Sequence, residues 1–374
     1  MRFTIVREEL LKGLNIVSRA VSNKSVVPSL SNVKIELNEK GLFLTGSNLD
    51  LSIQTFVPFQ KEEKVIIRNY KEGTTLINAK IITEIVRKLD CEELVFDVID
   101  STIAVISNNQ SEYKINCMRA EEYPDLDLEP TGISLTLATA DFDDLVNQTA
   151  FAASTKEQRP ILTAVNLDAL NGVLTATTTD SARLARKQLP IPEEVNFVAN
   201  IPSKMIVEVE HLLDNAGETI DIALSDKKAL FSIGTTIVAT RLIAGDYPNT
   251  KNIIPRSINY SLEVNASDLM KAIDRANVLS IDRENVVDLT MSGEGVEISS
   301  TSSQVGSAIE RIDVFKYEGS PLRISFNSDF VLSAVRALKS EDVIFQFVGE
   351  MKPFVIKNAL DDSIVQIVTP VRTY

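Results

Sequence analysis

The chain has 374 residues, 44% hydrophobic and 24% charged, enough for more than one globular core and unlike a disordered, collagenous or coiled-coil composition. Lys and Arg number 38 against 52 Asp and Glu, and the resulting charge of -14 excludes a protein that holds nucleic acid by spreading an open basic surface over its phosphates. No apolar run approaches the roughly 20 residues of a membrane span, the opening Met1-Arg2-Phe3-Thr4-Ile5 lacks a signal-peptide centre, and Cys91 and Cys117 form no CxxC or disulfide framework, so a reducing cytoplasm is the expected location.

In chain order, Ile5, Leu10, Leu14 and Val17 read as a strand residue followed by one apolar helical face. Val33, Ile35 and Leu37 alternate with Lys34 and Glu36, a turn follows at Glu39-Lys40-Gly41, and Leu42-Phe43-Leu44 completes a hairpin with one buried face. Ile77-Asn78-Ala79-Lys80-Ile81-Ile82 then opens a second amphipathic helix of about three turns, with Leu89 in register downstream and Asn78 as capping candidate, and Phe96 and Val98 mark an alternating strand. A Pro-containing stretch from Tyr123-Pro124 to Pro130 breaks the pattern. The whole series then repeats. Leu137, Phe142, Val146 and Thr149 reproduce the first helix, Val165, Leu167, Asn171-Gly172 and Val173-Leu174 the hairpin, and Ile201-Pro202-Ser203-Lys204-Met205-Ile206 the second helix. Tyr247-Pro248 to Pro255-Arg256 is the next break. Val264, Leu269, Ile273 and Ala276, then Val287, Leu289, Gly293-Glu294-Gly295, Val296 and Ile298, then Phe326-Asn327-Ser328-Asp329-Phe330-Val331 make a third copy, at offsets of 124 and 125 residues for the second helix. Ser203 and Ser328, or Asn327, are the matching caps.

Three copies of two different helices in constant order predict three domains, at 1–127, 128–253 and 254–374. Each holds two helices and two small antiparallel sheets, an α+β unit whose sheet edges are able to continue into the next.

Catalytic constellations are missing. The chain has no GxxxxGK[ST], GxGxxG or HExxH, and its single histidine, His211, sits off the apolar face of its helix where solvent is the expected surrounding. Acidic pairs such as Asp143-Asp144 and Asp361-Asp362 are what 52 acids produce by chance. No enzyme activity, metal or cofactor is expected. The basic residues are placed more pointedly. Lys12, Arg19 and Lys24 accompany the first helix, Lys80 and Arg87 the second, and Lys156, Lys204, Lys271, Arg275 and Arg336 lie on or beside their counterparts, mostly off the apolar faces. Repeat-equivalent helices on one side of an assembly would give an acidic protein a local positive face.

The three-fold repeat, together with Thr179-Asp180-Ser181-Ala182-Arg183-Leu184-Ala185, Ala244-Gly245-Asp246-Tyr247-Pro248 leading to Ile253-Ile254-Pro255, and Ile367-Val368-Thr369-Pro370-Val371-Arg372, resembles the bacterial DNA polymerase III β subunits, the replicative sliding clamps, over the whole chain. The resemblance implies a DNA clamp fold and a head-to-tail homodimer, a ring of six domains with twelve helices inside. Twelve helices at about 9 Å spacing enclose roughly 24 Å once a helix diameter of about 10 Å is subtracted, room for duplex DNA. Such a ring holds double-stranded DNA by topology, independently of sequence, and tethers the replicative polymerase, the clamp loader and repair proteins; nucleoid association within the cytoplasm follows.

By the same resemblance, Tyr113 and Ile115 on a first-domain edge strand meet Val278 and Leu279 of the partner's third domain. A pocket for short hydrophobic peptides is lined by Leu162, Thr179, Ser181, Arg183, Leu184, Pro248, Ile253, Ile367, Val368, Thr369, Pro370, Val371 and Arg372, with apolar anchors and with Arg183 and Arg372 as donors. The chain departs from the family pattern at Ala182, where many members have His, at Asn252, often basic, and at Thr373-Tyr374, which extends past the usual end; Tyr374 is expected over the pocket mouth. The rival expectation is a cytosolic repeat scaffold that binds short peptides without encircling DNA, and a carboxylate-based nuclease is a more distant one.

Overall fold

The structure, a computed structural model, describes residues 1–22, 27–215, 217–255, 257–280 and 285–372; Lys24, Arg256 and Tyr374 lie outside these. Six α-helices occur among the described residues, and they fall where the repeat predicts: α1 (Arg7–Ser18), α2 (Ala79–Lys88), α3 (Thr139–Thr149), α4 (Ser203–Glu210), α5 (Ala266–Asn277) and α6 (Ser328–Ala337). None is long and apolar enough to cross a membrane. Every paired strand is antiparallel, as the hairpin signals require. At Asn171-Gly172 both residues take positive φ, 52° and 77°, the conformation that a two-residue hairpin turn demands.

The chain forms two compact units, one from residues 1–140 with 208–242 and the other from 141–207 with 243–374. In the first, a five-stranded sheet runs Glu112–Asn116, Ile103–Ser107, Glu93–Ile99, Arg2–Val6, Ile67–Lys71. An eight-stranded sheet runs Ile133–Ala138, Thr219–Leu224, Lys228–Ile233, Thr236–Arg241, Leu51–Pro58, Gly41–Ser47, Asn32–Asn38, Gly73–Asn78. The second sheet therefore joins strands of the first and middle repeats through the ladder of Thr236–Arg241 with Leu51–Pro58. At that ladder Val238 faces Ile53, both fully buried, and the Thr55 and Thr236 hydroxyls share a 2.9 Å hydrogen bond. Helices α1 and α2 pack together, burying Leu10, Leu14 and Val17 with Ile82 and Val86.

Close packing of α1 on its sheet depends on two glycines. A Cβ on Gly46 would stand 2.2 Å from the Val17 carbonyl oxygen, and one on Gly13 would stand 2.6 Å from Leu44 Cδ1. No side chain fits the first gap, because its neighbour is backbone and cannot rotate away.

In the second unit a nine-stranded sheet runs Phe197–Pro202, Ala164–Leu170, Val173–Thr179, Arg183–Pro190, Ile364–Val368, Phe354–Asn358, Asp342–Phe347, Tyr260–Asn265, Lys316–Glu318. Here the middle and last repeats are joined by Arg183–Pro190 pairing with Ile364–Val368. A four-stranded sheet of Gly306–Ile312, Gly295–Ser302, Val286–Ser292 and Leu322–Asn327 completes the unit. Between the sheets α5 and α6 bury Leu269, Ile273, Val331 and Val335 against Phe326, Phe345, Phe347 and Phe354. Three helices are capped by asparagine: Asn78, Asn265 and Asn327 accept from Ile81, from Ser267 and Asp268, and from Phe330 backbone N–H groups at 3.1–3.2 Å, whereas the expected cap Ser203 is the first residue of α4. Of the alternatives Ser328 and Asn327, the asparagine is the cap. Ser328 already belongs to the first turn and donates its hydroxyl to Asn277 Oδ1 at 2.9 Å.

Gly46→Ala is expected to lower stability by about 1–3 kcal/mol, the range for overpacking against an unyielding neighbour. Gly293→Ala, where an added Cβ meets nothing within 4 Å, is the control and should change stability by less than about 0.5 kcal/mol. Urea unfolding of the two variants measures the contrast.

Candidate functional site

The middle repeat's hairpin strand Val173–Thr179 and the following strand Arg183–Pro190 are linked by a tight turn, and the turn builds one wall of a cavity of about 290 Å³. Asp180 makes the turn. Its Oδ1 accepts from the Ala182 and Arg183 N–H groups at 2.9 and 3.0 Å, and Thr179 Oγ1 accepts from Ser181 N–H at 3.1 Å. Ser181 is thereby held at φ 80°. Tyr247, from the stretch that closes the middle repeat, braces the turn by accepting the Thr179 N–H at 2.9 Å. Burial pushes its phenol up to about 12, so it stays neutral at physiological pH.

The floor is the inter-repeat ladder. Leu184 pairs with Ile367, and the two form a small apolar cluster with Val355, flanked by Ile254 and Val365. Beyond the ladder, Thr369 N–H donates to the Ala182 carbonyl at 2.9 Å, tying the C-terminal strand to the turn. The remaining wall is the short 3-10 helix Pro160–Thr163, which carries Ile161 and Leu162, and Pro248, Thr250 and Ile253 lie opposite.

Among the residues expected in a peptide pocket, the fold brings together Leu162, Thr179, Ser181, Arg183, Leu184, Pro248, Ile253, Ile367 and Thr369. Val368, Pro370, Val371 and Arg372 do not line the cavity. Successive side chains on a strand point to opposite faces, so with Ile367 and Thr369 turned to the cavity Val368 is buried in the core of the last repeat. Pro370 is buried as well, Val371 donates its N–H to Ser325 O at 2.8 Å, and Arg372 is exposed. Arg159, Ile161 and Thr250 line the cavity without having been expected there. They sit in short irregular segments with no periodicity, and Arg159-Pro160 is the one local signal of a turn.

Arg183 is held differently from a free donor. Its Nε donates to Asp180 Oδ2 at 3.0 Å, and its guanidinium lies 4.7 Å from the Phe330 ring centre and 5.5 Å from that of Phe151. It is a held wall residue, ion-paired with Asp180, and α6 supplies one of the two rings near its guanidinium.

The predicted basic set is solvent-facing. Lys12, Arg19, Lys80, Arg87, Lys156, Lys204, Lys271, Arg275 and Arg336 are all exposed, and all but Lys156, which follows α3 in a loop, lie on or at the end of a helix. Arg19 pairs with Glu208 at 2.9 Å, Arg275 with Glu310 at 2.7 Å, and Arg87 with Glu84; Lys12, Lys80, Lys204 and Arg336 make no ion pair among the described residues. Exposed pairs of this kind are weak, so the cations remain available to an anion. Tyr113 is 39% exposed on the edge strand Glu112–Asn116, and Ile115 is half-buried there. Val278, just past α5, is 66% exposed, and Leu279 half-buried. His211 lies past the end of α4, exposed, with Nδ1 3.2 Å from Arg19 Nη1.

Comparison with known proteins covers the whole chain. Family models of the DNA polymerase III beta subunit match it three times: the N-terminal domain over residues 1–127, the central domain over 136–249 and the C-terminal domain over 251–372. The beta sliding clamps of Bacillus subtilis (strain 168) and Halalkalibacterium halodurans are each 35% identical to it, with both chains covered in full. Among solved structures, the DNA polymerase sliding clamp from Bacillus subtilis matches with a TM-score of 0.96 at 34% identity, and the DNA polymerase III beta chain from Streptococcus pneumoniae with 0.95 at 33%, each over 100% of both chains. The chain belongs to the DNA polymerase III beta subunit family, and the protein is a DNA sliding clamp.

Proposed function

We propose that two copies of this chain close head to tail into a ring around duplex DNA, and that the cavity beside Leu184 and Ile367 takes the clamp-binding peptides of the replicative polymerase, the loader and repair proteins in turn. Three domains, at 1–127, 128–253 and 254–374, would serve as the repeating segments. The observation that carries the reading is the distribution of charge. In a chain of net charge -14, the described basic residues singled out by the repeat stand exposed and, but for Lys156, on or at the ends of helices belonging to all three copies. A ring lined in this way keeps DNA by closure and lets it slide, because screened contacts to exposed cations are individually weak.

Two sheet edges support the closure. Glu112–Asn116 ends the five-stranded sheet and Gly306–Ile312 ends the four-stranded one, each with one side unpaired by any other described strand, and each carries an exposed apolar side chain, Tyr113 and Ile309. Unpaired antiparallel edges at the first and last repeats suit heterologous contact, and two such contacts close a dimer. Tyr113 and Ile115 on one subunit and Val278 and Leu279 on the other would cover one another there. The cavity supports peptide capture by its chemistry: Leu162, Leu184, Ile253 and Ile367 offer an apolar site for an aliphatic or aromatic anchor.

After loading, the protein is expected to stay on nicked circular DNA through gel filtration and to be lost when that DNA is linearised; equal retention on both forms would sink the topological reading and favour the peptide scaffold. Ile253→Asp should weaken a clamp-binding peptide by about tenfold or more in fluorescence anisotropy. Tyr247→Phe removes the acceptor for Thr179 N–H and should cost about 1 kcal/mol of stability, read by urea unfolding, together with a smaller loss of peptide affinity.

A further inference from the structure

We infer that the outward face of the middle repeat's sheet is a second docking surface, a track for the polypeptide segment that flanks the clamp-binding peptide of the same partner. The inference rests on the pocket reading above.

Residues 245–251 separate two cavities. Pro248 and Thr250 line the peptide cavity, and both also line a groove of about 530 Å³ on the other side of the segment. The dividing wall is fastened to the sheet: Asn200 donates from Nδ2 to Gly245 O at 2.9 Å, accepts Ile243 N–H on its carbonyl at 2.8 Å, and receives Asn166 Nδ2 on Oδ1 at 2.9 Å. A chain leaving the pocket across Pro248 meets the groove directly.

The groove's floor is polar near the wall and apolar at its far end. Cross-strand neighbours Asp168 and Thr175, with Arg186 and Gln188, form the polar part. At the far end Leu170 pairs with Val173, 55% and 38% exposed, and Val198, 67% exposed, stands on the edge strand opposite Asp168, diagonal to Leu170. They are not an overflow of the core. The intervening residues Leu167, Ala169, Leu174 and Ala199 point to the other face and are buried, as the two-residue period requires.

The first repeat supplies an internal comparison. Its hairpin places Asn38 opposite Gly41 at the positions of Leu170 and Val173, and the cavity on that face is lined by polar side chains, Glu36, Glu39, Lys40 and Glu72 among them, apart from Phe43. The apolar group therefore occurs on the copy of this face whose groove shares a wall with the peptide cavity. An occupant with polar residues followed by one aliphatic or aromatic side chain fits the order of the floor. A flank of about ten residues, extended, reaches at most about 35 Å.

The test uses full-length protein and a fluorescein-labelled peptide carrying the clamp-binding segment of the same organism's replicative polymerase, in a short form and in a form keeping about ten further residues on each side. The long form should bind wild type at least about fivefold more tightly than the short form. Val198→Asp and Val173→Lys, both at exposed positions, should each abolish that gain and leave the short form's affinity unchanged. Equal affinity of the two forms for wild type, a gain that survives both substitutions, or equal weakening of both forms overturns the track. A changed oligomeric state of the Val198→Asp protein with unaltered peptide binding also overturns it, assigning the face to a contact between copies. Failure of the short form to bind wild type, or binding indifferent to Ile253→Asp, instead refutes the pocket reading itself.

Discussion

The antiparallel ladder that carries one repeat's sheet into the next is the constraint on which the rest depends. A sheet edge left open exposes a row of unpaired N–H and C=O groups, and here the edges at Leu51–Pro58 and Arg183–Pro190 are satisfied by strands of the following repeat. The cavity proposed to take peptides is a by-product of the second of these ladders. Its floor is the Leu184–Ile367 pair, and a slip of one residue would turn Ile367 inward and bring Val368 out of the core. Lys187 helps to fix that register: buried in the ladder, its ammonium reaches Asp361 Oδ2 at 3.0 Å and Ser363 Oγ at 2.7 Å, and a slipped strand would separate them.

Most of the architecture was legible in the residues because two periods recur three times. Val33-Ile35-Leu37 and Val165-Leu167 announce strands by alternation, and the Leu10-Leu14-Val17 spacing announces a helix, so all six helices and the hairpins stand where periodicity put them. The extension of sheets across repeats was legible only as a capacity, since pairing partners far apart in sequence leave no local mark. The candidate site divides on the same line. Thr179, Arg183, Leu184 and Ile367 lie in regular or motif-bearing segments, whereas Ile161 and Thr250 enter from irregular backbone. The terminal run 367–372 reads in the sequence as one lining surface, but strand geometry turns Val368 away and Pro370, Val371 and Arg372 lie beyond the strand's end.

Charge and function are reconciled by location. The net charge of -14 describes the chain as a whole, while the cations proposed to face DNA stand, but for Lys156, on or at the ends of helices where they are described. Several carry carboxylate partners, as Arg19 does with Glu208 and Arg275 with Glu310, which tempers the field they project without removing it. An anion held only loosely by such groups is free to move along them.

The inter-repeat ladders also have a mechanical character. Five residue pairs join Arg183–Pro190 to Ile364–Val368, and five join Thr236–Arg241 to Leu51–Pro58. Tension along the strands loads all the hydrogen bonds of a ladder at once, in shear, whereas tension across them opens the pairs one after another like a zip. A molecule built on such seams resists pulling along its strands far better than peeling from an edge.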